Sequence, residues 1–173
     1  MSNNQTDHER IIAQEIIKTY QSFVEDIPRD YFDDLKIQLV TRSGAKNLLV
    51  IKINGNILNV IQQKPHKILM KLRSMFSNVL FFLVRDGGKS DSCDEFNYVP
   101  QSQKRIMYEL WAKDICTPAI YEMRTTSVLN TGEKVDTVYI SKLPEHDEDY
   151  LKAMEKVYNF LTGQTLLFKH ISN

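Results

Sequence analysis

A run of six apolar residues at 79–84, VLFFLV, constrains the fold of this chain more than any other stretch. The run is far too short for a membrane helix, which needs roughly 20 apolar residues. Its two valines and two phenylalanines are typical of a strand buried on both faces. Such a strand needs strand neighbours on either edge and helices over both faces. The run therefore predicts a layered α/β (mixed α+β) fold rather than a helix bundle or a β-sandwich.

The length of the chain favours one domain. A chain of 173 residues can bury about two-thirds of the surface that its unfolded form exposes. Cys93 and Cys116 lack CxxC spacing, and the N-terminus has no apolar signal region, which predicts a reduced, intracellular protein without a membrane anchor. We predict a single domain over 1–173, with an N-terminal helix and linker at 1–34 and a surface loop at 86–101.

Helical periodicity appears in four regions. Thr6 and Glu9 fit a capping box that opens the first helix, which Pro28 ends. A short helical segment before Pro65 is expected to kink or restart there. Ser102 is predicted to cap a third helix, and Gly163 to end the last one. The predicted inward stripes are Ile12, Ile16, Tyr20 and Phe23 on the first helix, and Ile106, Met107, Leu110, Trp111 and Ile115 on the third.

Alternating apolar residues predict two β-hairpins. The first joins 35–39 to 49–53, and the second joins 122–129 to 133–141 through a turn that contains Gly132. Residues 165–168 form a last short strand. Both halves of the chain thus show the order helix, hairpin, helix, strand. We expect one mixed β-sheet with helices packed on it.

Charge is balanced in number but not in position. Lys plus Arg and Asp plus Glu are 22 each, yet acids dominate 1–34 and cations dominate 62–89. A neutral total can hide a basic face, and RNA phosphates need several cations on one surface. The same residues equally fit ordinary solvated cations. The candidate RNA-binding residues are Lys64, Lys67, Lys71, Arg73, Arg85, Lys89, Lys104 and Arg105.

Other chemistry has little support in the sequence. Residues 87–90, GGKS, resemble the end of a phosphate-binding loop but lack its first glycine, because position 83 is leucine. The acidic residues at 145–149 fit a helix N-terminus better than a calcium loop. Cys116 has no histidine near it in sequence and is expected to be a buried structural thiol. We predict no catalytic residue, metal, cofactor or small-molecule substrate.

Several stretches resemble the e-type small-subunit ribosomal protein seven of eukaryotes, over about residues 48–171. The most specific is the spacing of Val157-Tyr158 and Leu161-Thr162-Gly163 at the end of the last helix. The other matching residues are Phe76-Ser77, the run 79–84 with Arg85, Asp114-Ile115, Pro118 and Phe168.

The resemblance implies a non-catalytic structural protein of the small ribosomal subunit. It would bind small-subunit ribosomal RNA and adjacent ribosomal proteins, contribute to assembly and translation, and reside on cytoplasmic ribosomes after nucleolar passage. The family's loop after the central strand is strongly basic, whereas 86–103 here is shorter and carries Asp86, Asp91, Asp94 and Glu95 against Lys89. The alternative is a free intracellular protein-protein adaptor with no RNA role, which would dock through its acidic N-terminal helix and its hairpins.

Overall fold

The computed structural model describes residues 6–21, 28–76, 78–87, 101–142 and 148–171. The elements of the first half are α1 (Asp7–Thr19), α2 (Asp30–Asp33), β1 (Lys36–Val40), β2 (Asn47–Ile53), α3 (Gly55–Gln63), α4 (Pro65–Met75) and β3 (Val79–Arg85). Those of the second half are α5 (Gln101–Cys116), β4 (Ile120–Val128), β5 (Lys134–Ser141), α6 (Glu148–Thr162) and β6 (Leu167–His170). The α/β class predicted from the sequence is confirmed.

The strands form two three-stranded mixed sheets, so the expectation of one sheet is wrong. In the first sheet β1 pairs antiparallel with β2, and β2 pairs parallel with β3. In the second sheet β4 pairs antiparallel with β5, and β5 pairs parallel with β6. Both predicted hairpins are therefore confirmed, and each half of the chain builds its own sheet by the same sequence of connections. The last strand begins two residues later than predicted.

The strand at 79–84 is buried on both faces, as predicted, but it is not the centre of its sheet. Phe81 and Leu83 enter one hydrophobic core, and Phe82 and Val84 enter the other. The central strand is β2, which pairs with β1 and β3. In the part of the chain that the structure describes, β3 has one strand partner, and helix α5 lies along it.

Strand pleating divides the interior into two cores. Leu49 and Ile51 of β2 face α1, α3 and α4, where Ile12, Ile57 and Ile68 pack against them. The alternate residues of the first sheet, such as Leu48 and Val50, face α5, α6 and the inner side of the second sheet. The first sheet is thus covered on both faces, and the second core joins the two halves of the chain.

Local signals at the helix ends are largely confirmed. The Thr6 hydroxyl accepts from the Glu9 amide, and Glu9 accepts from the Thr6 amide, which completes the capping box. Pro65 occupies the first turn of α4, where a missing amide costs nothing. Gly163 follows α6 with φ +70°, the left-handed conformation expected of a C′ glycine.

Helix α5 departs from its prediction. It already includes Gln101, so Ser102 lies within its first turn rather than before it. Ile106 is 62% exposed and does not belong to the inner face. Ile115 is buried as predicted, and Trp111 packs against the core while partly exposed. The other buried positions are Ala112, Cys116 and the charged residue Asp114. Burial on this helix is concentrated in its C-terminal half, which contributes Ala112, Ile115 and Cys116 to the second core. Phe23 of the predicted α1 stripe lies outside the described residues.

Candidate nucleic-acid interface

The cations of the α3–α4 region lie on the solvent side of α4. The side chains of Ile68 and Leu72 are buried under the first sheet, which directs the remaining faces of the helix outward. Helix α4 contains no acidic residue, so the charged groups on its outer surface are all basic, although Met70 is also exposed there. Four of the predicted site residues are exposed here, namely Lys64, Lys67, Lys71 and Arg73.

Arg85 is engaged inside the fold. Its guanidinium forms two hydrogen bonds to the fully buried Asp114 carboxylate, from Nε at 2.7 Å and from the terminal nitrogen Nη2 at 2.8 Å. Gln62 at the end of α3 donates to the same carboxylate at 2.9 Å. The hydrogen bonds to Asp114 raise the pKa of Arg85. Asp114 therefore ties α3, β3 and α5 together, and the Arg85 charge is largely neutralised before any ligand arrives.

Helix α5 also provides hydrogen-bond partners for the Arg85 backbone. The Arg85 amide donates to Asp114 at 3.1 Å, and the Arg85 carbonyl accepts from Trp111 Nε1 at 2.9 Å. These are the two groups that a further strand would use at this edge of β3. Side chains of α5 occupy this end of the edge instead, so no further strand pairs with β3 at Arg85.

Lys104 and Arg105 are both exposed on the first turns of α5. Hydrogen bonds from Thr126 and Arg124 lower the pKa of Asp136, and the charge of Arg105 lowers it further. Arg105 thus lies toward the β4–β5 hairpin, whereas Lys104 occupies the neighbouring position on the helix.

A polar network between α5 and the second sheet was not apparent from the sequence. Glu109 accepts from the Tyr121 hydroxyl at 2.7 Å and from Arg124 at 3.2 Å. Arg124 also pairs with Asp136, which accepts from the Thr126 hydroxyl. Burial and the bond to Glu109 raise the pKa of Tyr121. The carboxylate partners of Arg124 are 15 and 12 residues away in the sequence, so local patterns do not identify them.

The structure does not bring all the predicted cations onto one surface. Helices α4 and α5 pack on opposite faces of the first sheet, so their cations lie on different sides of it. Lys89 lies outside the described residues, as does most of the predicted surface loop. The exposed cations form two groups, which we name the α4 group (Lys64, Lys67, Lys71 and Arg73) and the α5 pair (Lys104 and Arg105).

Other chemical candidates gain no support from the geometry. Cys116 is buried and its thiol donates to the Ala112 carbonyl, while burial raises its pKa to about 12. Among the described residues, no group of three or more His, Cys, Asp or Glu side chains is arranged to hold a metal ion. None of the helices in the described part of the chain has the length and apolar character of a membrane span.

Comparison with known proteins gives a distant relative that matches nearly the whole chain. Small ribosomal subunit protein eS7 of Encephalitozoon cuniculi (strain GB-M1) is 21% identical over 170 residues, which covers 95% of this chain and 94% of that protein. No protein-family model matches the chain. The crystal structure of APE1850 aligns with 95% of this chain and 100% of its own at 11% identity, but its TM-score of 0.36 is too low to support any inference. The similarity to eS7 is distant but nearly end to end, and it confirms the resemblance predicted from the sequence.

Proposed function

We propose that this protein is a structural, non-catalytic constituent of the small ribosomal subunit. The observation that carries the proposal is the similarity to eS7 over 95% of this chain and 94% of the relative. Two chains that match across nearly their whole lengths share domain content and size. The exposed α4 group supplies several cations without a neighbouring acidic residue on the helix, which favours binding to a phosphate backbone.

Within this proposal, ribosomal RNA binds to the α4 group and to the α5 pair. Phosphate contacts need exposed cations and no particular base sequence, which suits the side chains of α4. Lys89 stays a candidate on its sequence position alone. Arg85 has a different part: its guanidinium is held by Asp114, so it positions α5 and adds little charge to the surface.

Neighbouring ribosomal proteins are the proposed protein partners. Strand β4 is the surface that fits them best, because most of its residues are exposed. Met123 is 52% exposed and Val128 is 64% exposed. Contribution to subunit assembly, residence on cytoplasmic ribosomes and earlier passage through the nucleolus belong to the same proposal.

Fractionation of a lysate on a density gradient tests the proposal. The protein is expected to migrate with small subunits and to stay with them after a moderate salt wash. Dissociating the subunits with a chelator should move it from the monosome fractions to the small-subunit fractions. A pool that remains at the top of the gradient under all conditions would contradict a ribosomal role.

That last outcome would favour the second candidate, a free protein-protein adaptor. The exposed residues of β4 favour it as much as they favour contact with ribosomal proteins. The adaptor needs no RNA, so it predicts that nuclease treatment of the lysate leaves the protein's migration unchanged. A ribosomal constituent is instead released when the RNA is digested.

A further inference from the structure

One face of α5 combines a cation with two aromatic rings. Lys104, Tyr108 and Trp111 lie four and three residues apart on α5, so they form one stripe along the helix. Lys104 is exposed, and both rings are half-buried at the margin of the second core. The rings stack with an interplanar angle of 21° and a centroid separation of 6.0 Å. At that separation the rings are offset, and each covers only part of the other.

The aromatic pair is held in place by the β3 edge. Trp111 Nε1 donates to the Arg85 carbonyl, and Arg85 is itself fixed by Asp114. Gly87 allows the close approach of the indole, because a Cβ at that position would lie 3.3 Å from Trp111 Cζ2. A ligand that stacks on these rings would therefore not have to order them first, which lowers the entropic cost of binding.

The charges that α5 itself places around the stripe are compatible with an anionic ligand, while Asp86 lies next to Gly87 at the Trp111 end. The Glu109 carboxylate, one position after Tyr108, is turned toward Tyr121 and Arg124. The Lys113 ammonium lies 5.5 Å from the centre of the Tyr121 ring. The first turn of α5, residues 101–104, contains no carboxylate and ends in Lys104. Lys104 therefore lies one turn before the rings, and the helical turn that contains Lys104 has no acidic residue.

We propose that this stripe binds unpaired RNA nucleotides, with a base stacked against Tyr108 and Trp111 and a phosphate neutralised by Lys104. The inference rests on the proposed function, because it names the class of RNA that this surface takes. Stacking on aromatic side chains tolerates any base, but it requires a base whose face is free. Bases of a duplex are stacked on their neighbours, so loops and single-stranded segments are the expected ligands.

Trp111 is the only tryptophan in the chain, which makes its fluorescence a direct probe of the site. The full-length protein would be titrated with a short oligouridylate and, separately, with a blunt-ended RNA duplex of the same number of nucleotides. The single strand is expected to quench the emission to saturation. The duplex should bind in a filter assay through the α4 group while leaving the emission nearly unchanged.

Substitutions then separate stacking from charge. Tyr108→Leu keeps apolar bulk but removes the ring, and it should weaken oligouridylate binding about five- to hundredfold, the range expected when one ring that stacks on a base is removed. Tyr108→Phe keeps the ring and should restore the affinity. Lys104→Gln should lower the salt dependence of single-strand binding by about 0.7 in the log–log slope. Circular dichroism of each variant checks that α5 is still folded.

The outcomes distinguish this site from the proposed function. If the protein binds both RNAs but its fluorescence does not respond, or if Tyr108→Leu binds the single strand like the wild type, the stacking site is contradicted and RNA binding is not. If neither RNA is retained in the filter assay, the site fails together with the RNA-binding function. Quenching of the unaltered protein needs no substitution, so the test holds even if Tyr108→Leu does not fold.

Discussion

At the scale of single residues, Asp114 is a buried carboxylate with four hydrogen bonds. Its carboxylate accepts from Gln62 and from both the side chain and the amide of Arg85. A buried carboxylate is tolerated only when its oxygens are paired, and here four donors come from two neighbouring elements. Removing this anion would leave the Arg85 guanidinium, 18% exposed, without its counter-charge.

We therefore expect Asp114→Asn to destabilise the protein by about 3–5 kcal/mol, the cost of breaking a buried ion pair from one side. The free energy of unfolding, measured by chemical denaturation, checks this expectation. The matched control is Asp33→Asn, the same chemical change at an exposed position of α2, which should change stability by less than about 0.5 kcal/mol. Equal stability of the two variants would show that the Asp114 pair does not hold the elements together.

Residue roles were the part of the site least accessible from the sequence. The exposure of Lys67 and Lys71 could be predicted because they alternate with Ile68 and Leu72 on a helical period. The state of Arg85 could not, since its partner Asp114 is 29 residues away. A charged residue such as Asp114 close to Ala112 and Ile115 is only a weak signal of a buried ion pair. The helical period alone would place the Asp114 side chain in solvent.

At the scale of elements, three strands each donate a backbone amide hydrogen bond to a carboxylate on a helix. Glu9 of α1 accepts from the Ile37 amide of β1 at 2.9 Å, and Asp114 of α5 accepts from the Arg85 amide of β3. Glu155 of α6 accepts from the Phe168 amide of β6 at 3.3 Å. These contacts block further strand pairing at those positions. Each helix is thereby fixed in register against the strand that it covers.

Glu9 gives a prediction about pH. Burial raises its pKa, but hydrogen bonds from Thr6 and from the Ile37 amide, with the charge of Lys36, hold the pKa below its ordinary value of 4.5. A carboxyl with a lowered folded-state pKa stabilises the protein above its ordinary pKa, and this contribution is lost as the pH falls through the folded value. Glu9→Gln should thus be less stable at neutral pH by about 1–3 kcal/mol.

The difference between wild type and Glu9→Gln should shrink as the pH falls below the ordinary glutamate value. Chemical denaturation across a series of pH values measures it. Glu133→Gln, at an exposed position of the β4–β5 turn, should follow the wild-type curve throughout. The Asp136 carboxyl also has a lowered pKa, so some acid sensitivity remains in the variant. A gap between Glu9→Gln and wild type that is independent of pH would contradict the role of the Glu9 charge.

The elements themselves were largely predictable, and the sheet assignment was not. Alternation, capping residues and Pro65 mark both hairpins and most helix ends through local preferences. Which strand pairs with which depends on residues far apart in the sequence, and local periodicity does not show it. At the end of β3, for example, Asp114 and Trp111 bond the Arg85 backbone that a further strand would have used.

At the scale of the whole molecule, the two sheets share one core. The second core contains Val50 and Phe82 of the first sheet with Val138 and Phe168 of the second. Helix α4 packs on the face of the first sheet opposite this core. The cations proposed to bind RNA therefore lie on both sides of the first sheet, while the exposed strand β4 belongs to the second sheet and is left for protein neighbours.

The basic surface can be tested by its salt dependence. Replacing Lys67 and Lys71 with glutamine should weaken binding to small-subunit RNA and lower the log–log salt slope by about one unit for each phosphate that is no longer neutralised. The matched control replaces Lys152 and Lys156 of α6, which are also exposed and four residues apart. Binding measured by filter retention at several salt concentrations compares the two pairs. An unchanged slope for the α4 variant would remove α4 from the interface.

The most direct test of the central claim is a cryo-EM map of small ribosomal subunits purified from the native source. A structural constituent predicts density for both three-stranded sheets in intact subunits, with Lys67 and Lys71 of α4 facing phosphates of the ribosomal RNA. A complete and well-resolved subunit that contains no density for this chain would contradict the claim.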